Sequence, residues 1–375
     1  MASDGPVVIV GAGLAGAAAA RSIARRGHPV VVLEQFAPGH AHGSSHGSAR
    51  IVRRAYGDAL YTSLTGRAFE LWSSVPSPEP LLRMLGALDF GPDRDVAAVA
   101  GHLAAAGVAH EVLPAIEAER RWPGMRFEGD VVFHPQAGTL DADAAVRALL
   151  ADAVAHGADV RFGAAARALL GEGEHARVTL ADGFDLRASR VVVAAGAWVA
   201  GLLDGALPLP ALTVTQQQVF HFPRLDPSAP PWPSVIHEHG RAIYHLAGGR
   251  DGGPLDDRKL GEHDGGPVVR PGVTVEPDAA VRERVVDYVR RWLPGLDPTP
   301  RGEATCLYTT TPSEDFVLDR VGPVVVCSPC SGHGAKFAPL IGEFVADLVD
   351  GRDDAVPARF GLSAHARGLG GSVSL

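Results

Sequence analysis

Val7-Val8-Ile9-Val10-Gly11-Ala12-Gly13-Leu14-Ala15-Gly16 is the stretch on which the fold turns. Four β-branched apolar residues in a row read as a buried strand. The glycines after them match G-x-G-x-x-G: Gly11 makes the tight turn, Gly13 admits a pyrophosphate close to the backbone, and Gly16 lets a helix pack on the strand. An Ala-rich helix is expected over 14–26 and a second strand over 30–33, ending at Glu34. The helix N-terminus offers free N–H groups and a positive dipole to phosphates. Glu34 lies 18 residues beyond Gly16, where an acidic side chain accepts from ribose hydroxyls. This βαβ unit binds a dinucleotide but does not say which one.

Bulk composition sets the surrounding bounds. With 375 residues the chain exceeds one ordinary core, so two domains are expected. A hydrophobic content of 46% describes a well-buried globular protein. The net charge of -9, without basic blocks, argues against a nucleic-acid partner. No apolar run approaches the roughly 18 residues of a membrane span. The first residues lack the basic and apolar regions of a signal peptide, and three cysteines do not make a disulfide framework, so a cytoplasmic location is expected.

Further along, 40–50 is polar and rich in Gly, Ser and His, hence a loop, and 61–72 has helical spacing. A helix is expected over 143–156, with strands over 158–163, 176–180 and 191–195. From 213 to about 308 the pattern alternates, as in TVTQQQVFHF and RAIYHL, which predicts an antiparallel sheet. A helix over 281–292, a strand over 324–327, a Gly-rich turn and a helix over 339–348 complete the reading. The stretches 247–257 and 363–375 read as the most mobile.

Only two of the 34 basic Lys and Arg residues are lysines, Lys259 and Lys336. GC-rich coding accounts for the scarcity but not for the survivors, and a site that needs a compact ammonium does not accept arginine. His40 and His42 have no carboxylate nearby in sequence. His237 and His239 flank Glu238, whose side chain points to the opposite face of a strand. No metal site is expected at either pair.

Four ordered segments add a family resemblance. His46-Gly47-Ser48-Ala49-Arg50-Ile51-Val52-Arg53-Arg54-Ala55-Tyr56 resembles the loop after the Rossmann unit in the monomeric sarcosine oxidase and N-methyltryptophan oxidase family. Lys259-Leu260-Gly261-Glu262-His263 is similar to its K-x-G-x-H, and Cys306 to Pro312 to its C-x-Y-T-x-T-P. Ser331-Gly332-His333-Gly334-Ala335-Lys336-Phe337 resembles its S-G-H-G-x-K-F turn. The match runs in order over nearly the whole chain.

The resemblance implies an α/β fold in which a Rossmann-type FAD-binding domain is assembled from separated segments (1–82, 139–206, 312–375). An antiparallel-sheet substrate domain (83–138, 207–311) completes it. It implies FAD joined through its 8α carbon to the Cys306 sulfur, a small amino-acid substrate, dioxygen as acceptor, and a monomer. Arg53 and Lys336 would hold the substrate carboxylate. Lys259 would lie beside the flavin N5 to activate oxygen, with Arg50 on the same side. His263, Tyr308 and Tyr244 would face the amine, while His46, Gly332 and Gly334 contact the cofactor.

Taken alone, the residues leave blander readings open: a buried structural thiol at Cys306, surface ion pairs for the arginines, and a satisfied core histidine at His263. Cys327 and Cys330 are expected to end a strand and enter the Gly-rich turn. Ala49, Glu262 and the long polar stretch before Lys259 depart from the family pattern, and all three are expected around the substrate pocket. The implied activity is oxidation of a secondary amino acid, N-methyl or cyclic, to an imine with release of hydrogen peroxide. The alternatives are a tailoring oxidase of a bulkier or carrier-bound amine, and a flavin dehydrogenase with another acceptor.

Overall fold

The computed structural model describes residues 5–273 and 275–368. The glycine-bearing unit forms strand Val7–Val10, helix Leu14–Arg25 and strand Val30–Glu34. Its first strand lies near the centre of a six-stranded sheet ordered Val317–Val321, Val324–Ser328, Arg190–Val193, Val7–Val10, Val30–Glu34, Asp159–Phe162. The pairing is parallel except at Val317–Val321, which returns antiparallel on its neighbour.

A parallel sheet is covered on both faces, which is why VVIV and VVVL carry no polar alternation. Val7, Ile9, Val30 and Val32 pack under helices with Ile23, Leu340 and Phe344. Val8, Val10, Val31 and Leu33 face Val178 and Leu180 of a three-stranded meander, 166–188.

A second sheet has eight strands: Gly302–Thr310, Thr213–Phe222, Arg258–Glu262, Arg241–Ala247, Ser234–His239, Ala87–Phe90, Asp130–His134 and Glu111–Pro114 in spatial order. Its first five strands are antiparallel, as the alternation between 213 and 308 predicts. The other three come from 87–134, and Ala87–Phe90 joins by parallel pairing with Ser234–His239. One face packs against helix Ala279–Trp292 through Val281, Val285 and Val289. The other face turns toward the pocket described below.

Several details differ from the sequence reading. The stretch expected to be mobile before Lys259 includes a short helical turn, Gly249–Gly252, docked on the loop before Arg50. There the Asp251 carboxylate accepts from Ser48 N at 2.7 Å, and the Ser48 hydroxyl accepts from Asp251 N at 2.9 Å. Glu262 does not border the pocket around which it is expected: its neighbours Lys259 and His263 do, while Glu262 pairs twice with Arg284 on the opposite face at 2.9 and 2.7 Å. His40 does have a carboxylate within reach, with Glu34 Oε1 3.5 Å away. At the chain end, helix Leu362–Ala366 is formed, and 369–375 lie outside the described residues.

Candidate active site

A cavity of about 1220 Å³ is lined by residues of both large sheets. Of the residues expected to hold the cofactor or the substrate or to act in catalysis, all border it except Gly16. Gly16 is needed for packing instead: a Cβ there would sit 1.9 Å from Gly11 O. Gly11 has φ of +102°, and a Cβ on it would meet Ala194 O at 2.5 Å. Gly13 is the N-cap of the first helix, and a Cβ there would lie 2.8 Å from the Ser45 hydroxyl. That hydroxyl accepts from Leu14 N at 3.0 Å, a contact the sequence does not foretell. At the end of the second strand, Glu34 accepts from Ala12 N at 2.8 Å and Phe36 N at 3.0 Å.

The loop after the βαβ unit lies against these elements. Arg50 donates to the carbonyls of Ala49 (3.0 Å), Ser44 (3.2 Å) and His46. His46 Nε2 is buried and has no hydrogen-bond partner among the described residues. Burial, with the charges of Arg50 and Lys259, pulls the His46 pKa down to about 4, so the ring is neutral near pH 7. Lys259 Nζ donates to Ala49 O at 3.1 Å. Burial and then the charge of Arg50 lower the Lys259 pKa to about 7, against the opposing pull of Cys306, Asp251 and Asp143. The Cys306 thiol is pushed up by burial, while Arg50 and Lys259 work the other way. A thiolate at Cys306 is thus offered two cations, although its surroundings resist charge.

Deeper in the fold, Arg53 and Lys336 are both drawn to Tyr56. The Arg53 guanidinium carbon lies 4.7 Å from the Tyr56 ring centre, and Lys336 Nζ donates to the Tyr56 hydroxyl at 2.9 Å. Lys336 Nζ also donates to His333 O at 2.8 Å. Arg53 donates to the buried Asp89 at 3.0 Å, and Arg94 shares the same carboxylate oxygen at 2.7 Å. Arg53 Nη2 is buried without a hydrogen-bond partner among the described residues. Among the described residues no carboxylate bonds Lys336, and burial together with the charge of Arg53 holds its pKa well below the usual lysine value.

Tyr56, Asp89, Arg94 and His333 are neighbours of the candidate site residues that sequence reasoning misses. Tyr56 and His333 sit inside two quoted motifs, the only signal that marks them. Neutral His333, its pKa lowered by burial, meets the Tyr56 hydroxyl through Nδ1 at 3.2 Å and Glu314 O through Nε2 at 3.0 Å.

Tyr244, Tyr308 and His263 form one polar wall. The two phenols share a hydrogen bond, and burial raises both pKa values, so they stay protonated. The His263 ring centre is 5.6 Å from that of Tyr308. Gly332, with φ of +72°, faces both: a Cβ there would lie 2.5 Å from the Tyr308 ring and 2.7 Å from the His263 ring. At Gly334 a Cβ would lie 1.7 Å from Pro329 O. Cys327 ends up buried in strand Val324–Ser328, and Cys330 in the following turn accepts from Thr309 N through its sulfur at 3.3 Å.

These residues fit FAD. The glycine cradle and helix N-terminus suit a pyrophosphate, Glu34 a ribose, and the unpartnered His46 nitrogen a polar edge in the same cavity. A family model described as FAD dependent oxidoreductase matches residues 6–348. N-methyl-L-tryptophan oxidase of Yersinia pestis (strain Pestoides F) is 31% identical over 362 residues, covering 92% of this chain and 94% of that one. The solved structure of NikD, an unusual amino acid oxidase essential for nikkomycin biosynthesis, is similar with a TM-score of 0.82. Its identity is 26%, over 95% of this chain and 96% of its own. L-proline dehydrogenase from P. horikoshii shares the fold with a TM-score of 0.83 at 20% identity, over 98% of this chain and 99% of its own. The family match runs from the strand before the glycine turn through the last helix bordering the pocket, and the chain belongs to the DAO family of FAD dependent oxidoreductases.

Proposed function

We propose that this chain oxidises a secondary amino acid, N-methyl or cyclic, at the carbon–nitrogen bond. The observation that carries the reading is the pair of buried cations, Arg53 with an Nη2 unpartnered among the described residues and Lys336 with no carboxylate among them, in a cavity that also holds the Tyr244–Tyr308–His263 wall. A substrate carboxylate bridging the two cations supplies the missing anion through charge-assisted hydrogen bonds. The amine then faces His263 and the two phenols, which orient its neutral form. FAD supplies the two-electron acceptor that dioxygen regenerates, releasing hydrogen peroxide.

In balance, the substrate loses a hydride from carbon and a proton from nitrogen. The imine of an N-methyl substrate takes up water to give formaldehyde and the primary amino acid, whereas a cyclic substrate leaves as the cyclic imine itself. In this reading Lys259 offers an ammonium to the negative charge that dioxygen acquires, and Arg50 adds to the field. Cys306, beside both cations, is the proposed point of covalent attachment.

The test is peroxide release from a panel of N-methyl and cyclic amino acids, each beside its decarboxylated amine. Activity is expected with the acids, and Lys336→Met should raise KM roughly ten- to a hundredfold, the value of one charge-assisted bond of about 1.5–3 kcal/mol. Equal activity on amines lacking the carboxylate overturns the carboxylate site. Substrate turnover with a dye but not with oxygen makes the enzyme a dehydrogenase. The likeness to NikD supports a second reading, a tailoring oxidase, for which only bulkier substrates in the panel release peroxide.

A further inference from the structure

On the face of the eight-stranded sheet turned away from the pocket, three side chains converge. His237 and His239 alternate on strand Ser234–His239 and so share a face. Glu238 between them points the other way, to Arg94 at 2.7 Å. The carboxylate that the local sequence does not offer this pair is Glu128, from the segment before Asp130–His134. Its Oε1 lies 2.8 Å from His237 Nε2 and 2.5 Å from His239 Nδ1. The three donor atoms all lie within 4.8 Å of one another.

We infer that Glu128, His237 and His239 bind one divalent transition-metal ion of the zinc class. Two imidazoles and one carboxylate suit zinc, cobalt, nickel or copper better than calcium or magnesium, which prefer all-oxygen shells. Ligand atoms around a tetrahedral zinc lie about 2.0–2.2 Å from the ion and therefore about 3.3 Å apart. The two carboxylate–imidazole separations need to open by roughly 0.5 and 0.8 Å to reach that spacing, and the two imidazole nitrogens, within 4.8 Å of each other, adjust with them. Both Glu128 and His239 have room to do so, at 28% and 41% side-chain exposure, and this open side also leaves the fourth position to water.

His237 is the fixed member. It is fully buried, stacked on Phe90 with ring centres 4.2 Å apart and met edge-on by Trp292 at 4.8 Å. Its Nδ1 meets the Tyr288 hydroxyl at 3.0 Å, the kind of outer partner that sets ring orientation in metal sites. A bound ion pins the Glu128 segment to the strand whose other face carries Glu238. The site is therefore one residue away from the Arg94–Asp89–Arg53 chain.

The experiment uses untagged, full-length holoprotein stripped with a chelator and titrated with Co²⁺, whose four-coordinate absorption lies at longer wavelength than the flavin bands. One saturable equivalent per chain, displaced by Zn²⁺, is expected. His239→Ala, at a partly exposed position, and the isosteric Glu128→Gln should each weaken binding more than tenfold. Tyr288→Phe should weaken it roughly ten- to a hundredfold, as loss of an outer-shell partner does. Failure of the wild type to show saturable binding overturns the inference and leaves the triad a hydrogen-bonded cluster. So does binding that is unchanged in His239→Ala and Glu128→Gln.

Discussion

Lys259 and Lys336 border the same cavity, yet their surroundings set them different tasks. Lys336 is held by a hydroxyl and a carbonyl next to a second cation, Arg53, whose carboxylate partner, Asp89, is shared with Arg94. Lys259, with its pKa lowered to about 7 by burial and Arg50, changes charge within the working range. If its ammonium serves oxygen, the rate of flavin reoxidation by air falls as pH rises through about 7. Lys259→Met should lower that rate by about a hundredfold or more and flatten the profile. Stopped-flow reoxidation measures both, and a flat wild-type profile removes Lys259 from the oxygen step.

The same shift bears on folding. Between about 7 and the unfolded value of 10.5 the unfolded chain binds more protons, so the penalty of burying Lys259 is full below 7 and fades as pH rises. The scarcity of lysine marks both residues in the sequence itself. Tyr56, Asp89 and Arg94 give no such signal, because they position other groups and their partners are far away along the chain.

At the scale of elements, helix Leu14–Arg25 crosses helix Ala338–Val349 where Gly342 meets Ala18. A Cβ on Gly342 would lie 2.4 Å from the Ala18 carbonyl oxygen, which is backbone and cannot rotate away. Alanine gains about 1 kcal/mol of helix propensity over glycine, whereas overpacking a tight contact costs about 1–3 kcal/mol. Gly342→Ala should therefore lower the urea midpoint, for a net loss of about 1 kcal/mol. A raised midpoint would mean that the two helices have room to part.

Both helices are legible from their apolar periodicity. Strand Ala87–Phe90 is not: it is four residues long, and the charge of Asp89 reads as exposed in sequence. In the fold Asp89 is buried, because Arg53 and Arg94 neutralise it. Glu262 misleads in the same way, since its assignment to the pocket needs the strand's phase, which puts Lys259 and His263 on one face and Glu262 on the other.

Over the whole molecule, the cavity is made by two sheets that share no strand. The glycine turn belongs to the six-stranded sheet, while Cys306 lies on Gly302–Thr310, the edge strand of the other. Loops from the cofactor side cover that edge: Ser44 donates to Leu307 O, and Ser331 N donates to Thr309 O at 2.9 Å. A flavin attached at Cys306 would span from one sheet to the other.

Cys306→Ser should leave a protein that still binds FAD but releases it into the supernatant on acid precipitation, where the wild type keeps its colour in the pellet. Its melting temperature should rise with added FAD, each tenfold increase contributing about 1.4 kcal/mol, while that of the attached wild type stays constant. A wild type whose melting point also tracks free FAD would show that the sulfur carries no flavin. If Cys306 carries the flavin, the edge position of one cysteine decides how the enzyme depends on cofactor supply. With the bond made, occupancy is settled once, at maturation, and no later fall in the FAD pool empties the protein.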